Sequence, residues 1–456
     1  MNPVTLVRNL RTGHHKNNTR IWIEAVALET AGFKPGDGIV QTVTKDAIIL
    51  SRSEEKIRIV NKRKDRPLFE SCSQEVSAVI RARERIDLLI SDGQIVIRHE
   101  RSFDLFVIEK PRLAGPDLKK LRLYSAPCGG GMATAALVDT GLYEPVGAVD
   151  FWPTAIEAYL NNFNRGSAYL GDLTRKNPEY VPRADVCWLS PSCTEYSGIG
   201  GRAGGVTEGH GPHYARLVLA TGAQVLMIEQ VPSYFKSRSY QHLKMLLAPF
   251  FPVFHERVMD AYDFGSVASR TRGYAVAFRD NAMEFSWPQL PKIPEHRRKT
   301  VGQLIGKGWE RGEWRSIEGS VMYGLLHKKG NNNFKANKNH TLVDLKSSKI
   351  SAIVASYRKY QVTSSYLQRG DQWRPFRSDE LAAFLNVPEF YEFPEWMEEG
   401  NRVKLLGQSV DCDVVKSIGI EVGVSIMSSR YKDLANNFVK DSLSIVEEDG
   451  QGAFAF

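Results

Sequence analysis

The apolar and polar residues alternate with two different periods along this chain. Up to about residue 112 the period is two, which predicts short β-strands, and the segments with this pattern are RIWIEAVAL, GIVQTVT, AIILSRS, IDLLISDG and QIVIRHE. Beyond that point, apolar runs alternate with segments whose apolar residues are three and four apart, as in amphipathic helices. Alternation of strands and helices predicts a doubly wound α/β sheet.

The elements of this predicted sheet follow one another closely. The strands are LRLYSA, PVGAVD, DVCWLS, VLMIE and GYAVAF, and the helices between them include MATAALVDTG, PTAIEAYLNNF, YARLVLATG and YQHLKMLLAPF. The alternation of predicted strands and helices ends near Phe285. An irregular stretch continues through the Asn-rich GNNNFKANKNH, after which apolar residues again recur at helical spacing. We therefore expect a β-rich domain (1–112), a catalytic domain (120–284), an inserted domain (285–373), a segment that returns to the catalytic domain (374–430) and a tail (431–456).

Length and composition narrow the class of protein. A chain of 456 residues is long enough for two or three domains, and its 42% apolar and 25% charged residues are typical of a globular protein. Since no apolar run approaches the 18 or so residues that span a bilayer, we expect a soluble cytoplasmic protein. The five cysteines include no CxxC pair, so neither a disulfide framework nor a metal site is predicted.

The net charge of +8 is concentrated in one region. Residues 291–370 contain 16 Lys and Arg against 5 Asp and Glu, so the rest of the chain is slightly acidic. A basic stretch of this kind is typical of a surface that binds a nucleic-acid backbone, although a solvated Lys-rich loop is an equally open interpretation.

Three successive predicted strands end in residues suited to an adenosyl cofactor. The first ends in Pro127-Cys128-Gly129-Gly130-Gly131 at a helix N-terminus, where glycines let the backbone approach a ligand. The second ends at Asp150, a possible acceptor for ribose hydroxyls, and Phe151 could cover an adenine ring. Asp172 follows the third. A glycine-rich turn alone would also fit a purely structural role.

The fourth strand leads into PSCTEYS and the glycine-rich GIGGRAGG. This block resembles the Pro-Cys-Gln motif of the cytosine-C5 DNA methyltransferases, and six further blocks resemble that family's motifs in the family's order. They are PCGGG, the pair Asp150-Phe151, IEQV, FGSVASRTR, RPFRSDELAAFLNVPEF and LGQSV. The resemblance spans about residues 121–426. It implies a Rossmann-like methyltransferase sheet with an inserted target recognition domain, which follows the β-rich N-terminal domain predicted from the pattern of residues 1–112.

The resemblance also implies a chemistry and its residues. The protein would transfer a methyl group from S-adenosylmethionine to C5 of a cytosine flipped out of double-stranded DNA. Cys193 would attack C6 of the ring, Glu229 would bind N3, Arg272 would bind O2, and Arg270 would favour the thiolate. The residues expected at the cofactor are Pro127, Gly129, Gly131, Asp150, Phe151, Asp172, Pro191, Ser409 and Val410.

Five positions depart from the family's motifs. Ser192 stands for the proline before the cysteine, Thr194 for the glutamine after it, Gln230 for the asparagine after Glu, Ala268 for the glutamine before the arginines, and Gln408 for the asparagine of the closing motif. None of them removes a group assigned to bond making. These substitutions are expected to affect the geometry of the loops and the rate of methyl transfer.

Three other functions remain open. Adenine-N6 methyltransferases have an Asn- or Asp-Pro-Pro-aromatic motif at the same strand end, but SPSC lacks both the acidic or amide residue and the aromatic one. A DNA-binding regulator on a degenerate scaffold and a cytosine-C5 enzyme acting on RNA are the other two. A cognate restriction endonuclease is a further possible partner, and the oligomeric state is not determined.

The N-terminal region carries a second, shorter resemblance. About thirty residues, RIWIEAVALETAGFKPGDGIVQTVTKDAIILS, resemble the swapped-hairpin barrels of bacterial transition-state regulators and antitoxins. DNA binding or dimerisation and a merely structural appendage are equally open roles for this region.

Overall fold

A computed structural model of the chain describes residues 3–55, 57–101, 120–163, 166–192, 196, 205–290, 293–327 and 339–448, with side chains described as far as Lys432. Cys193 therefore lies outside the described residues, as do Lys335 and Lys338 of the basic stretch. Among the described residues no helix is long and apolar enough to cross a membrane.

The strands are β1 (Leu6–Arg11), β2 (Gly13–His15), β3 (Asn18–Glu24), β4 (Gly38–Val43), β5 (Ala47–Ser53), β6 (Arg58–Ile59), β7 (Asn61–Arg63), β8 (Arg66–Cys72), β9 (Arg85–Ser91), β10 (Gln94–His99), β11 (Leu121–Ala126), β12 (Tyr143–Asp150), β13 (Ser167–Leu170), β14 (Val186–Leu189), β15 (Val225–Gln230), β16 (Val253–Asp260), β17 (Thr271–Phe278), β18 (Arg315–Ser316), β19 (Leu342–Val343), β20 (Tyr366–Arg369) and β21 (Gln372–Arg374).

The helices are α1 (Val26–Thr30), α2 (Gln74–Val79), α3 (Met132–Asp139), α4 (Pro153–Asn162), α5 (Gly211–Thr221), α6 (Arg238–Leu247), α7 (Val301–Ile305), α8 (Val321–His327), α9 (Ser378–Phe384), α10 (Glu399–Gln408) and α11 (Cys412–Glu448).

The central sheet confirms the predicted doubly wound α/β fold. Strands β11 to β15 run parallel in the order β15-β14-β11-β12-β13, β17 pairs antiparallel with β15, and the edge strand β16 pairs antiparallel with β17. The chain moves outward from β11 to β13 and then returns to the other side of β11 at β14. A crevice opens where the order reverses, at the carboxyl ends of β11 and β14, and such crevices are the usual ligand sites of this fold.

The structure differs from the predicted elements at several places along the chain. The stretch AVAL, predicted as strand, begins helix α1, because its alternating apolar residues Val26 and Leu28 lie with Ala27 in the core. Strand β16 was absent from the predicted strands, since it is an edge strand with little buried surface and therefore no clear apolar period. Helix α11 continues beyond residue 430.

The N-terminal region contains an internal repeat. The unit β3-α1-β4-β5 recurs as β8-α2-β9-β10, with corresponding elements beginning 47 or 48 residues apart. The two units pair with each other, because β3 runs antiparallel to β8 and β5 runs antiparallel to β10. One chain thus supplies two hairpin units and the contacts between them.

The inserted region forms its own small sheet, in the order β18-β21-β20-β19. Trp373 of β21 is fully buried, and it belongs to the same hydrophobic core cluster as Leu121 of the catalytic sheet and Leu6 of β1. The described parts of the three regions therefore share a continuous apolar core.

Candidate active site

A cavity of about 230 Å³ lies at the carboxyl ends of the central strands. Residues from every described motif block except RPFRSDELAAFLNVPEF line it, together with Lys404 and Leu405 of α10. The lining residues are Pro127, Cys128, Gly129, Gly130, Met132, Ala133, Asp150, Phe151, Trp152, Trp188, Ser190, Pro191, Ser192, Glu229, Gln230, Arg270, Arg272, Lys404, Leu405, Gly407, Gln408, Ser409 and Val410.

The glycine-rich turn after β11 forms one wall. Gly129 has a φ of +52°, and a Cβ there would meet no atom within 4 Å, so its backbone is open toward the cavity. Gly131 has a φ of +88°, and a Cβ there would lie 3.0 Å from Phe163 and Tyr159. Both positions therefore favour glycine, one for exposure of the backbone and one for packing of the helix that follows.

Asp150 ends β12 and is only 7% exposed. Its carboxylate accepts hydrogen bonds from the backbone N–H of Gly129 (2.9 Å) and of Trp152 (2.9 Å). Burial raises the pKa of this carboxyl to about 6, although the two hydrogen bonds lower it. Since each carboxylate oxygen can accept more than one hydrogen bond, Asp150 keeps capacity for a ligand hydroxyl.

Two aromatic residues follow Asp150. The Phe151 side chain is 74% exposed at the cavity, which is unusual for a large apolar group without a ligand or partner. Lys404 of α10 places its Nζ 4.2 Å from the centroid of the Trp152 ring, and both residues line the cavity. This end of the cavity therefore combines an uncovered aromatic face with a positive charge.

Asp172 lies near this wall but is not among the residues that line the cavity. Its carboxylate accepts hydrogen bonds from the backbone N–H (2.9 Å) and hydroxyl (2.7 Å) of Thr174. The preceding Gly171 donates its N–H to the carbonyl of Asp150 at 3.0 Å. Asp172 thus belongs to a loop attached to the cavity wall.

Glu229 is the buried carboxylate at the opposite end. It is 4% exposed, and its Oε1 lies 3.0 Å from Nε of Arg272. Ser190 donates its hydroxyl to Oε2 at 2.9 Å. The ion pair and the hydroxyl fix the plane of the carboxylate, and this orientation allows it to recognise the edge of a planar ring.

Gln230, one of the departures from the family's motifs, holds the loop that leads to Cys193. Its side-chain amide donates a hydrogen bond to the carbonyl of Pro191, and its Oε1 accepts the backbone N–H of Val231 at 2.6 Å. Gln230 is 3% exposed. The longer glutamine side chain therefore connects β15 to the segment after β14.

Arg270 is buried between three segments of the chain. It donates to the backbone carbonyls of Ile353 (2.7 Å), Gly407 (3.3 Å) and Ser409. These bonds join the segment before β17 to the inserted region and to the LGQSV block. Its Nη1 and Nη2 are thus engaged by the protein, which makes Arg270 a residue that positions the cavity wall.

The other cysteines have environments unlike that of a nucleophile. Cys128, Cys187 and Cys412 are buried, and burial raises the pKa of each thiol above its ordinary value. Cys72 is half-buried in the N-terminal region, on β8. Among the described cysteines, therefore, the three buried thiols are disfavoured as thiolates and Cys72 lies on a strand outside the cavity.

The cavity thus gathers most of the predicted site residues. Glu229, Arg270 and Arg272 are in its lining, and so are the predicted cofactor residues Pro127, Gly129, Asp150, Phe151, Pro191, Ser409 and Val410, whereas Gly131 and Asp172 lie beside it. Sequence reasoning missed Trp152, Ser190 and Lys404. Trp152 and Ser190 are next to recognised motifs in the sequence, so that position could have identified them. Nothing in the sequence indicated that Lys404 would lie over the ring of Trp152.

The fold and this cavity define a Rossmann-like methyltransferase. The family model described as C-5 cytosine-specific DNA methylase matches residues 122–423, which is more than half of the chain. The chain belongs to that family, as the motif order predicted.

Characterised relatives and solved structures agree with this assignment. The type II methyltransferase M.MspI of a Moraxella species is 24% identical over 390 residues, which are 83% of this chain and 87% of that protein. M.BsuFI of Bacillus subtilis, also a type II methyltransferase, is 23% identical over 275 residues, 58% of this chain and 63% of that protein. The crystal structure of the S. pombe Dnmt2 methyltransferase has the same fold, with a TM-score of 0.54, 19% identity, and coverage of 68% of this chain and 99% of that one.

Proposed function

We propose that the protein transfers a methyl group from S-adenosylmethionine to C5 of a cytosine flipped out of double-stranded DNA, within a specific sequence. The observation that carries the proposal is the convergence of Asp150, Phe151, Glu229 and Arg272 on one cavity, from blocks far apart in the chain. Family membership and the type II relatives support DNA as the substrate.

The residues at the glycine-rich end fit the cofactor. The open backbone at Gly129, the buried carboxylate of Asp150 and the uncovered ring of Phe151 suit a ligand with hydroxyl groups beside an aromatic base. When bound, the cofactor supplies an electrophilic methyl group. Asp150 would hold the ribose, Phe151 would cover the adenine, and the LGQSV block with Ser409 and Val410 would close the wall.

The residues at the other end fit the base. Cys193 would add its thiolate to C6, because cytosine C5 becomes nucleophilic only when the ring is converted to an enamine. Glu229 would hold a proton at N3 while the ring carries the adduct, and Arg272 would donate to O2. C5 would then bond to the methyl group, with the cofactor leaving as its neutral thioether. Loss of the C5 proton to a base and expulsion of the thiolate from C6 would restore the aromatic ring.

Arg270 would act at Cys193 through its charge. Because its Nη1 and Nη2 are bonded to carbonyls, we expect it to favour the thiolate by its positive field and by holding the Ser409 wall in place.

The basic inserted region is the proposed target recognition domain. Its described part forms a separate sheet joined to the catalytic domain, and the charge excess of residues 291–370 suits phosphate contacts. A cognate restriction endonuclease would be consistent with the type II relatives.

Trapping of the covalent intermediate tests the proposal. With cofactor and duplex DNA that contains 5-fluorocytosine, we expect a stable protein–DNA adduct, since fluorine cannot leave as the C5 proton does. Cys193→Ala should abolish the adduct, whereas the matched variant Cys72→Ala should form it normally. An adduct that persists in Cys193→Ala would contradict the assignment. An adduct formed with fluorinated RNA instead of DNA would contradict the proposed substrate, and cofactor binding without any adduct would favour a regulator.

A further inference from the structure

Strand β13, which precedes the loop that contains Gly171 and Asp172, is not an edge strand. β1 runs parallel to β13, with Leu6 opposite Ala168 and Arg8 opposite Leu170. On its other side, Leu170 is opposite Asp150 of β12. The N-terminal strands therefore continue the same sheet, one strand away from the wall of the cavity.

Polar side chains connect the N-terminal region to the loop that follows β13. Glu100, which follows β10, accepts hydrogen bonds from Nε of Arg175 (2.8 Å) and from Nδ2 of Asn9 (3.1 Å). Asn9 also donates to Oδ1 of Asp87 at 2.9 Å. The Glu100 side chain is 16% exposed, and its hydrogen bond raises the pKa of Arg175, whose side chain is 40% exposed. Glu100 is thus the centre of a network between the N-terminal region and the loop after β13.

That loop is held on two sides. Buried Arg216 of α5 donates from Nη2 to the carbonyls of Leu173 (3.0 Å) and Thr174 (3.2 Å). From the other side, a Cβ on Gly171 would lie 3.0 Å from the Cβ of Asn9, so the N-terminal strand is in close contact with the loop. Since Gly171 donates to the carbonyl of Asp150, displacement of the loop would also move that residue.

We propose that Glu100 is a positioning residue for the cofactor end of the site. Through Arg175 and Asn9 it holds the loop that contains Gly171 and Asp172, and through this loop it fixes the end of β12. The inference rests on the proposed function, in which Asp150 holds the ribose of S-adenosylmethionine. It gives the β-rich N-terminal region a role in cofactor affinity, separate from contacts with DNA.

The test compares full-length variants by calorimetric titration with S-adenosylmethionine. In Glu100→Gln, loss of the ion pair should weaken cofactor binding roughly three- to tenfold, as expected for energetic coupling through one network. The KM for the cofactor should rise by a similar factor, while kcat at saturating cofactor and DNA affinity stay unchanged. Arg175→Gln should give the same loss, and the double variant should lose no more than either single one.

The chain offers a matched control. Arg101 and Glu179 form a second ion pair between the same two regions, at 3.2 Å, but their side chains are 55% and 63% exposed, and Glu179 lies seven residues after Asp172 in the connection between β13 and β14. Glu179→Gln should therefore leave cofactor affinity unchanged. A merely structural effect would lower the melting temperature without changing the ratio of the cofactor KM to the DNA KM.

The outcomes separate the two proposals. If the wild-type protein does not bind S-adenosylmethionine, the proposed function and this inference both fail. If the wild type binds the cofactor and Glu100→Gln binds it equally well, the inference alone is overturned. Should Glu100→Gln not fold, Arg175→Gln decides the question, because Arg175 is 40% exposed and its substitution leaves no buried cavity.

Discussion

Asp411 is the buried carboxyl next to the LGQSV block. It is 1% exposed, and it accepts hydrogen bonds from the hydroxyl of Ser266 (2.6 Å) and the side-chain amide of Asn386 (3.2 Å). Burial raises the pKa of Asp411 to about 7. Asp411 therefore connects the segment before β17 to α9 and α11. Its charged form is destabilised by burial in the folded protein.

The raised pKa of Asp411 gives a prediction for stability against pH. Because the folded protein binds this proton more tightly than the unfolded chain does, the contribution to stability is full below about pH 4 and is lost as the pH rises through about 7. The free energy of unfolding of Asp411→Asn, relative to wild type, should rise by about 2 to 3 kcal/mol between pH 5 and pH 8. Urea unfolding at the two pH values measures this, and a difference that does not vary with pH would contradict it.

Helix α9 is joined to the inserted region by an ion pair that water does not reach. Arg374 donates to both carboxylate oxygens of Glu380 (2.8 and 2.7 Å) and to the carbonyl of Trp309 (2.7 Å). The side chains of Arg374 and Glu380 are each 1% exposed. The pair thus connects β21 to the first turn of α9, where the returning segment begins.

Removal of one partner should be costly at this junction. Glu380→Gln leaves the Arg374 charge buried without its counter-charge, so the free energy of unfolding should fall by about 3 kcal/mol or more. The adjacent Asp379 pairs with Arg377 at the surface, with 67% of its side chain exposed, and Asp379→Asn should cost less than about 1 kcal/mol. Denaturant melts of the two variants measure the contrast, and equal losses would show that the junction is not dependent on the buried pair.

At the scale of the whole molecule, the N-terminal region and the catalytic sheet form one unit. Leu6, Ile86 and Ile97 lie in the same core cluster as Leu123 and Leu170. Since β1 covers the edge of β13, a chain that lacked residues 1–101 would expose both an apolar surface and an unpaired strand edge.

Deletion of residues 1–101 is therefore predicted to give an aggregating protein with no cofactor binding. The full-length chain should instead unfold these two regions in a single calorimetric transition, because they share a core. Size-exclusion chromatography and scanning calorimetry test the two expectations. A soluble truncated protein with wild-type cofactor affinity would show that the regions are independent.

The arrangement of the whole molecule bears on the resemblance of the N-terminal region to swapped-hairpin barrels. The two repeated units pair within one chain, and β1 and β9 connect them to the catalytic sheet. These contacts argue against dimerisation by exchange of hairpins, since the partner of each hairpin is already present in the same molecule.

Local patterns in the sequence were sufficient for the catalytic fold and most of its site. Strands such as VLMIE are continuous apolar runs, and helices such as PTAIEAYLNNF carry apolar residues three and four apart. Motifs such as PCGGG carry their chemistry in neighbouring residues. The family and the fold were therefore predicted before any contact was known.

The remaining features depend on residues far apart in the chain. The bonds of Arg270 to Gly407 and Ser409, the stacking of Lys404 on Trp152 and the network around Glu100 each join segments separated by more than 70 residues. A single sequence carries no periodic signal for such pairs, because a side chain's partner is set by how whole elements pack. Only the tertiary structure could show that the N-terminal strands extend the catalytic sheet and lie beside the loop that contains Gly171 and Asp172.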